Sequence, residues 1–526
     1  MKRPDSNPSS PERGCPSTFH SWIPRFPGAI ILLLMFVPPT FSGGAYLNNL
    51  SEMAGGLGVW SEDIQAASFF TSIGMCLFPP FMVLFLQNRR PKQTFLWCFG
   101  LLVLLNLVCA FTTSLPLLFA ACLLTGFVRV VAMLNCTFTI APYLTGMDNL
   151  SMFTLKEEPP ADVQYALERK RTFLMPVLYF YILLISQLSN MFTAWFAYTY
   201  RWQYAYLAVV ALLLLSMIIV LCTMRDEPRS FSYRAEWRKM PGMLLMAVAL
   251  CSMTYVLTYG KTLDWLSSPA IVIALVVMLV AFGVFLIVPV CGEYLPLHVF
   301  TYRNVMLSML LFMLTMLFNS ANGFISMFAR LSTSADNIGI SSLGGWAAFG
   351  CLLGFLVSVI LVVCRVRFRT VFCIGYLFMA VANACLYFQF QTEGLLSRLQ
   401  LPMVLNFTGL LMLYSLVAAF GMKGLPSRYI ATFVFLMIWM RNAIAPVVGS
   451  SVYSNWLDYR QHYYASRLAP PVVSNHAAVP VPQLSLRVVR QSTLVAMRDI
   501  TGTTAVLLAF TSVAVLMLPY RRGETT

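Results

Sequence analysis

The sequence is poor in charge and in histidine. Of its 526 residues, 10% are charged, 59% are hydrophobic, and only 4 are histidine. Soluble globular domains carry about 25% charged residues, because polar groups must cover much of their surface. The composition therefore excludes a water-soluble fold. It also excludes a disordered chain, which needs low hydrophobicity. The surplus apolar surface requires a lipid bilayer as its partner.

The residue types that build metal sites and active sites are also sparse. The 13 cysteines form no C-x-x-C pair, and the histidines lie outside the long apolar runs. No acidic residue lies deep within such a run. We therefore expect no metal site, no cofactor and no disulfide framework, with the cysteines acting as small apolar residues. An enzyme within the membrane needs a cluster of reactive side chains, so the sequence argues against an enzyme.

Long apolar runs, in contrast, fill the chain. A helix needs about 20 apolar residues to cross a bilayer, whereas the strands of a membrane barrel alternate over about 10 residues. The runs show no such alternation. They predict an all-α membrane protein with fourteen transmembrane helices, at residues 28–48, 64–86, 93–112, 116–142, 172–199, 202–223, 241–259, 269–290, 304–329, 342–364, 371–391, 401–421, 429–452 and 501–519.

The basic residues indicate how these helices are oriented. Cytoplasmic loops are enriched in Lys and Arg, and most of the 35 Lys and Arg residues fall in the inner segments when both termini are placed inside. We therefore predict a multi-pass protein of the cell (inner or cytoplasmic) membrane with both termini cytoplasmic. This topology accounts for the net charge of +15 without a nucleic-acid partner.

The runs group as six, two and six. Short basic links after the second helix of each half, "NRRPK" and "RVRFR", suggest an internal duplication, as in transporters with parallel repeats. The predicted organisation is two pseudo-symmetric bundles with an inserted helix pair: a disordered cytoplasmic tail (1–27), an N-terminal bundle (28–224), a charged cytoplasmic linker (225–240), the pair (241–291) and a C-terminal bundle (304–520) with a long outer loop (453–500).

Two parts of the outer loop differ in pattern. Residues 469–483, "APPVVSNHAAVPVPQ", are rich in proline and are predicted to be irregular. Residues 484–499 place apolar side chains at helical spacing, which is typical of an amphipathic helix lying on the membrane surface.

Arg129 and Arg441 lie inside apolar runs. A charged side chain at mid-bilayer costs at least about 2.5–3.5 kcal/mol, and arginine cannot lose its proton to avoid this cost. Each arginine must therefore face the protein interior or water. Two interpretations stay open for both: a group that attracts an anion or takes part in proton coupling, and a structural arginine bonded to carbonyls or to a carboxylate.

Polar amides also recur within the runs. Gln187 and Asn190 are three residues apart, as are Asn319 and Asn322, so each pair shares a helix face. Such pairs bond either to another helix or to a ligand. The acidic residues nearest to a run, Glu62 and Asp63, are candidates for proton coupling or gating, although a solvated position at a helix N-terminus explains them as well.

Several segments resemble the major facilitator superfamily, in its fourteen-helix drug:proton antiporter branch. They are residues 241–277, with "GKTLDWLSSP" between two helices, and the segments "RWQYAYL" (201–207), "MRNAIAPVVGSSVY" (440–453) and "RQSTLVAMRDI" (490–500). The inner-loop motif of that family survives in its basic residues, at Arg89, Arg90 and Lys92, while Asn88 replaces the usual acid. The G-P-x-x-G-G signature of the fifth helix is missing.

This resemblance implies a secondary active transporter of small organic solutes that works by alternating access, with protons as the coupling partner and with export as the direction. It also implies that Arg129, Asn319 and Asn322 line the solute cavity and that the helix of Arg441 packs at the side. Two alternatives remain. The pair of intramembrane arginines favours a transporter of an anionic metabolite, and the eroded motifs leave room for a scaffold or sensor without transport.

Overall fold

The computed structural model describes residues 18–20, 22–78, 91–145, 161–225, 239–287, 296–333, 336–390, 394–475 and 481–518. Helices dominate these residues and no strand occurs among them, apart from an isolated bridge between Phe19 and Met224. The prediction of an all-α membrane protein is therefore confirmed. The linker at 226–238, most of the predicted N-terminal tail, and Arg89 and Arg90 of the inner-loop motif lie outside the described residues.

The first helix group follows the first six predicted runs. Its first helix breaks at Phe36 and ends before Gly44, whose positive φ of 71° suits glycine. The group comprises α1 (Arg25–Met35), α2 (Val37–Phe41), α3 (Leu50–Leu57), α4 (Ser61–Cys76), α5 (Pro91–Phe111), α6 (Leu115–Thr145), α7 (Ala161–Thr199) and α8 (Trp202–Thr223).

A helix pair and a second helix group complete the chain. The pair consists of α9 (Met240–Tyr259) and α10 (Pro269–Ile287). The second group comprises α11 (Arg303–Asn319), α12 (Gly323–Ser332), α13 (Asn337–Val363), α14 (Phe368–Gln389), α15 (Gln400–Met422), α16 (Ser427–Trp439), α17 (Ala445–Asn475) and α18 (Val481–Met517). A 3₁₀ turn joins α11 to α12, and a π turn joins α16 to α17.

Twelve helices of the described residues are long and apolar enough to cross a membrane. They coincide with twelve of the fourteen predicted runs, so a multi-pass membrane protein is confirmed while the count of fourteen is not. The first run forms the shorter apolar helix Phe26–Phe41. The second run is described only as far as Phe78. Its helix in the described part, α4, has 16 residues.

The two helix groups pack against each other along α7. This helix lies against α13 and α15 of the second group, while α4 lies against α16 and the π turn. Helix α15 is at the centre of the second group, and nearly all of its side chains are buried. Helix α10 is its opposite: few of its apolar side chains are buried, as expected for a helix that faces lipid.

Close packing of α4 on α6 depends on glycine. A Cβ atom on Gly126 would collide with the backbone of Thr71, and one on Gly74 would collide with the backbone of Leu123. Small residues permit this near approach of helix backbones in membranes. The crossing fixes α6 beside α4 and thereby positions Arg129, which lies three residues beyond Gly126.

The predicted outer loop 453–500 is helical in its described residues. Helix α17 continues to Asn475 and α18 begins at Val481, so the two form a long hairpin. Leu494 and Met497 of the amphipathic segment are buried in one cluster with Tyr453 and Leu457 of α17. The apolar face of this segment therefore packs against protein and not on the membrane surface. Of the residues expected to be irregular, 469–475 and 481–483 are helical, and 476–480 lie outside the described residues.

Candidate solute-binding site

Arg441 lies in the π turn Met440–Ile444, between α16 and α17. Such turns insert one extra residue into a helix and often occur at functional sites. Arg441 is about 20 Å along the helix from Ser427, at a rise of about 1.5 Å per residue. The hydrocarbon core of a bilayer is about 30 Å thick, so the side chain starts at membrane depth.

The Arg441 guanidinium contacts tyrosines of both helix groups. It lies over the ring of Tyr179 on α7, 5.7 Å from the centroid, and over the ring of Tyr414 on α15, at 5.6 Å. The two ring centroids are 6.0 Å apart, and Phe312 stacks on Tyr414 at 5.0 Å. A desolvated cation–π contact contributes about 2 kcal/mol. The rings therefore stabilise the cation without neutralising it.

Arg129 lies on the α6 side of the same region. Its Nη2 donates a hydrogen bond of 2.9 Å to the carbonyl oxygen of Thr40, near the C-terminal end of α2, where helix carbonyls carry partial negative charge. Its Nε is buried and has no hydrogen-bond partner in the described residues. Arg441 is near enough to Arg129 for the two like charges to repel each other.

Neither arginine is paired with an acid in the part of the chain that the structure describes. The ion pairs found there join Lys261 to Asp458 and Arg460 to Asp499. Inserting two arginines at membrane depth costs about 5–7 kcal/mol in total. One carbonyl and two aromatic rings offset part of this cost. The region is therefore a focus of uncompensated positive charge between the two helix groups.

An amide cluster lies where α11 meets α12. The Asn319 Oδ1 accepts hydrogen bonds from Asn322 Nδ2, at 2.7 Å, and from Asn406 Nδ2 of α15, at 3.3 Å. Asn406 is 1% exposed, and its own Oδ1 has no partner in the described residues. Asn319 and Asn322 thus bond to each other, and Asn319 also bonds to another helix through Asn406. Asn406 was missed, because it is an isolated amide in its run.

Gln187 and Asn190 take a different place. Both lie on α7, where the Gln187 carbonyl approaches Gly344 of α13. Their side chains form no hydrogen bond with any described residue, and the structure gives them no contact with Arg129 or Arg441. Gln187 therefore lies at the crossing of α7 with α13, and both residues stay candidates for the cavity wall.

The predicted coupling and inner-loop residues have local partners. Asp63, in the first turn of α4, accepts one hydrogen bond from the Tyr259 hydroxyl at 2.6 Å and one from the Trp60 backbone N–H at 3.0 Å. Glu62 is half-buried and accepts from the Ser61 hydroxyl. Lys92 donates to the Leu221 carbonyl at 3.1 Å. Asp63 thus attaches the helix pair to α4.

The described residues contain no group of three or more His, Cys, Asp or Glu side chains that could hold a metal ion. What the central region offers is two guanidinium groups and aromatic rings. Such a set can bind an anion, orient a planar acid group and let apolar groups pack beside it. It offers no nucleophile with an adjacent base, as covalent chemistry would require.

Comparison with known proteins places the fold but not the family. No protein-family model matches the chain, and no curated protein matches its sequence. Solved structures do match. One describes substrate recognition in proton-dependent oligopeptide transporters; it is 12% identical, covers 94% of this chain and 98% of its own, and gives a TM-score of 0.57.

Two further structures agree with it. A peptide transporter POT in complex with sulfate is 13% identical, with coverage of 93% of this chain and 95% of its own and a TM-score of 0.55. The nucleoside transporter NupG is 12% identical, with coverage of 92% and 98% and a TM-score of 0.54. The drug:proton antiporter branch is not shown by these matches. At such identities they establish only the fold, which is the fold of these solved transporter structures.

Proposed function

We propose that this protein is a secondary active transporter that moves a small organic solute across the membrane by alternating access. The observation that carries the proposal is the meeting of side chains from both helix groups at Arg441. Tyr179 belongs to the first group, and Tyr414 and Arg441 belong to the second. A solute held there contacts both groups, so its binding energy bears on their relative position.

Polar contacts at one end of the molecule support the alternating mechanism. The Asn337 Nδ2 donates to the Glu52 carboxylate at 2.9 Å and to the Asn48 carbonyl at 3.2 Å. Arg330 donates to the Ser51 hydroxyl at 3.1 Å. These bonds join the first group to the second at the end predicted to lie outside. The contacts are exposed or part-buried, and each hydrogen bond contributes only a modest net free energy, so they can be exchanged during transport.

The opposite end has a contact of its own. The Gly424 N–H donates to the Glu168 carboxylate at 3.1 Å, and Glu168 starts the span of α7 that ends at Thr199. A helix of that length separates the two ends by about 48 Å. Rocking of the groups about α7 would open one end while the contacts of the other end form.

Proton coupling and export are the finer parts of the proposal. Both follow from the resemblance to drug:proton antiporters, whereas the cytoplasmic position of both termini and the location in the cell membrane follow from the distribution of Lys and Arg along the sequence. The fold of the matched transporters supports transport over an enzymatic or a scaffolding role. A scaffold that has lost transport is the outcome that the following experiment distinguishes.

The experiment is a flux screen in proteoliposomes loaded with a pH-sensitive dye. Solutes of several charge classes are added with and without an imposed pH gradient. We expect at least one solute to move proton-equivalents in step with its own flux and to accumulate against its gradient. Arg441→Gln should abolish that flux, whereas Arg460→Gln, on the outer hairpin, should retain it. Absence of flux for every solute class would favour the scaffold.

A further inference from the structure

Among the described residues, the central region lacks the negative charge that would balance its arginines. In the described residues Arg441 is bonded to no carboxylate, and its contacts are with the faces of Tyr179 and Tyr414. Arg129 uses one N–H for the Thr40 carbonyl and buries its Nε without a partner. Both side chains are half-buried, so neither is sealed from a ligand.

The unused hydrogen-bond donors of the two arginines lie in the planes of their guanidinium groups. A guanidinium carries five N–H donors in its plane, and contacts with ring faces occupy none of them. Arg441 makes no hydrogen bond to any described residue, and neither does the Tyr179 hydroxyl. In-plane guanidinium donors match the paired oxygens of a carboxylate or phosphate. A neutral solute can accept hydrogen bonds from these donors but adds nothing to balance the charge, and a cationic solute adds to the repulsion.

We propose that the transported solute is an organic anion whose carboxylate or phosphate group binds Arg441, with Arg129 and the Tyr179 hydroxyl as further donors. This inference rests on the proposed transport function and names its substrate class. The aromatic rings of Phe312, Tyr179 and Tyr414 pack against the apolar body of the solute. Arg441, which the resemblance places at the side of the bundle, is the principal binding residue.

The binding test uses full-length protein in nanodiscs of one fixed lipid composition. The probes are benzoate, 2-naphthoate, succinate and phenyl phosphate, each beside a neutral amide or alcohol of the same skeleton, and sodium sulfate as an inorganic anion. The concentration dependence of the thermal midpoint gives Kd, since a ligand that binds the folded state stabilises it. We expect at least one organic anion to bind more tightly than its neutral counterpart and than sulfate.

Variants then locate the site. Arg441→Gln and Arg129→Gln should each weaken binding of that anion about ten- to hundredfold, as expected for lost charge-assisted hydrogen bonds. Arg441→Lys keeps the positive charge but loses the forked pair of donors, so its affinity should lie between those of wild type and Arg441→Gln. Tyr179→Phe keeps the ring and should cost a few-fold. Arg460→Gln is the matched control and should leave Kd unchanged. If Arg441→Gln fails to fold, the Kd values of Arg441→Lys and Tyr179→Phe test the inference instead.

Three outcomes overturn the inference: no preference for the charged member in any pair, equal stabilisation by sulfate, or anion binding that survives all three substitutions at Arg441 and Tyr179. Failure of the transport function is distinguishable from these. Selective anion binding without flux in proteoliposomes would contradict the proposed transport function and support the anion site. Flux of neutral or cationic solutes alone, unaffected by Arg441→Gln, would support the transport function and contradict the anion site.

Discussion

Arg441 and Arg460 lie on one continuous helical segment and have similar aromatic neighbours. Arg441 lies 5.7 and 5.6 Å from the ring centroids of Tyr179 and Tyr414. Arg460 lies 5.8 and 5.6 Å from those of Tyr463 and Tyr464. The difference is the acid: Arg460 is also paired with Asp499 of α18, and the described residues offer Arg441 no such partner.

The comparison separates structural arginines from binding ones. Arg460 has a complete local environment, because rings cover its face and a carboxylate neutralises its charge. It stabilises the hairpin of α17 and α18 and needs no ligand. Arg441 has the same aromatic cover without the counter-charge, and its rings come from different helix groups. Charge left unbalanced at membrane depth, in a position that joins two moving parts, is what marks a functional site here.

The largest effect, on anion affinity, is expected from placing an acidic side chain beside Arg441. Tyr179→Glu would place a carboxylate near the guanidinium and make the site resemble that of Arg460. Binding of the organic anion should weaken by about a hundredfold, because the site loses its net charge and its donors. The measurement is Kd from thermal shifts. Tyr179→Gln, which has the same shape and no charge, should weaken binding by much less, and equal losses in the two variants would contradict the electrostatic account.

The amide cluster is a second place where buried polar groups satisfy one another. Asn319→Leu removes the acceptor of both Asn322 and Asn406, so the free energy of unfolding should fall by about 1–3 kcal/mol. The measurement is unfolding in mixed detergent micelles. Asn322→Ala removes a single donor and should cost less. If Asn319→Leu leaves stability intact but abolishes solute binding, the cluster is part of the site instead.

A smaller effect is expected at the Arg460 pair itself. Asp499→Asn removes the counter-charge of an arginine whose side chain is 30% exposed. Water and salt screen such a pair, so the loss of stability should not exceed about 1 kcal/mol and should shrink at high ionic strength. Thermal midpoints at low and high salt measure it. A change in anion affinity in this variant would show that the hairpin and the central site are not independent.

The smallest effect is expected at Asp63. Its carboxylate already accepts hydrogen bonds from Tyr259 and from the Trp60 backbone, and an asparagine oxygen can keep one of them. Asp63→Asn should leave solute-driven proton flux within about twofold of wild type and lower stability by less than about 1 kcal/mol. Loss of proton flux with unchanged solute binding would instead make Asp63 the coupling residue.

Most of the fold could be predicted from hydropathy, because a helix in lipid must satisfy its own backbone. Twelve predicted runs coincide with membrane-length helices. The hairpin of α17 and α18 could not be predicted. Its apolar stripe is the same whether it packs on lipid or on a partner helix, and only the tertiary structure decides between them.

The site could be predicted only in part. Arg129 and Arg441 stand out because a charge in an apolar run is costly. Their neighbours do not stand out, since Tyr179 is one of several aromatic residues in "LYFYIL", residues 178–183, and periodicity cannot tell which ring meets a cation across the bundle. The π turn is only partly marked in the sequence: Pro446 cannot donate to the carbonyl of Asn442, four residues earlier, but a proline in a helix does not by itself predict a π turn.

The two attachments of the helix pair α9–α10 are of unequal strength. Tyr259 bonds to Asp63 of α4 in a partly buried contact, while Lys261 reaches Asp458 of α17 by an ion pair whose partners are 43% and 35% exposed. Both lie near one end of the molecule, so separating α4 from α17 at that end must break one of them. We expect the solvent-exposed ion pair between Lys261 and Asp458 to break first, so that the helix pair α9–α10 then moves together with the first helix group.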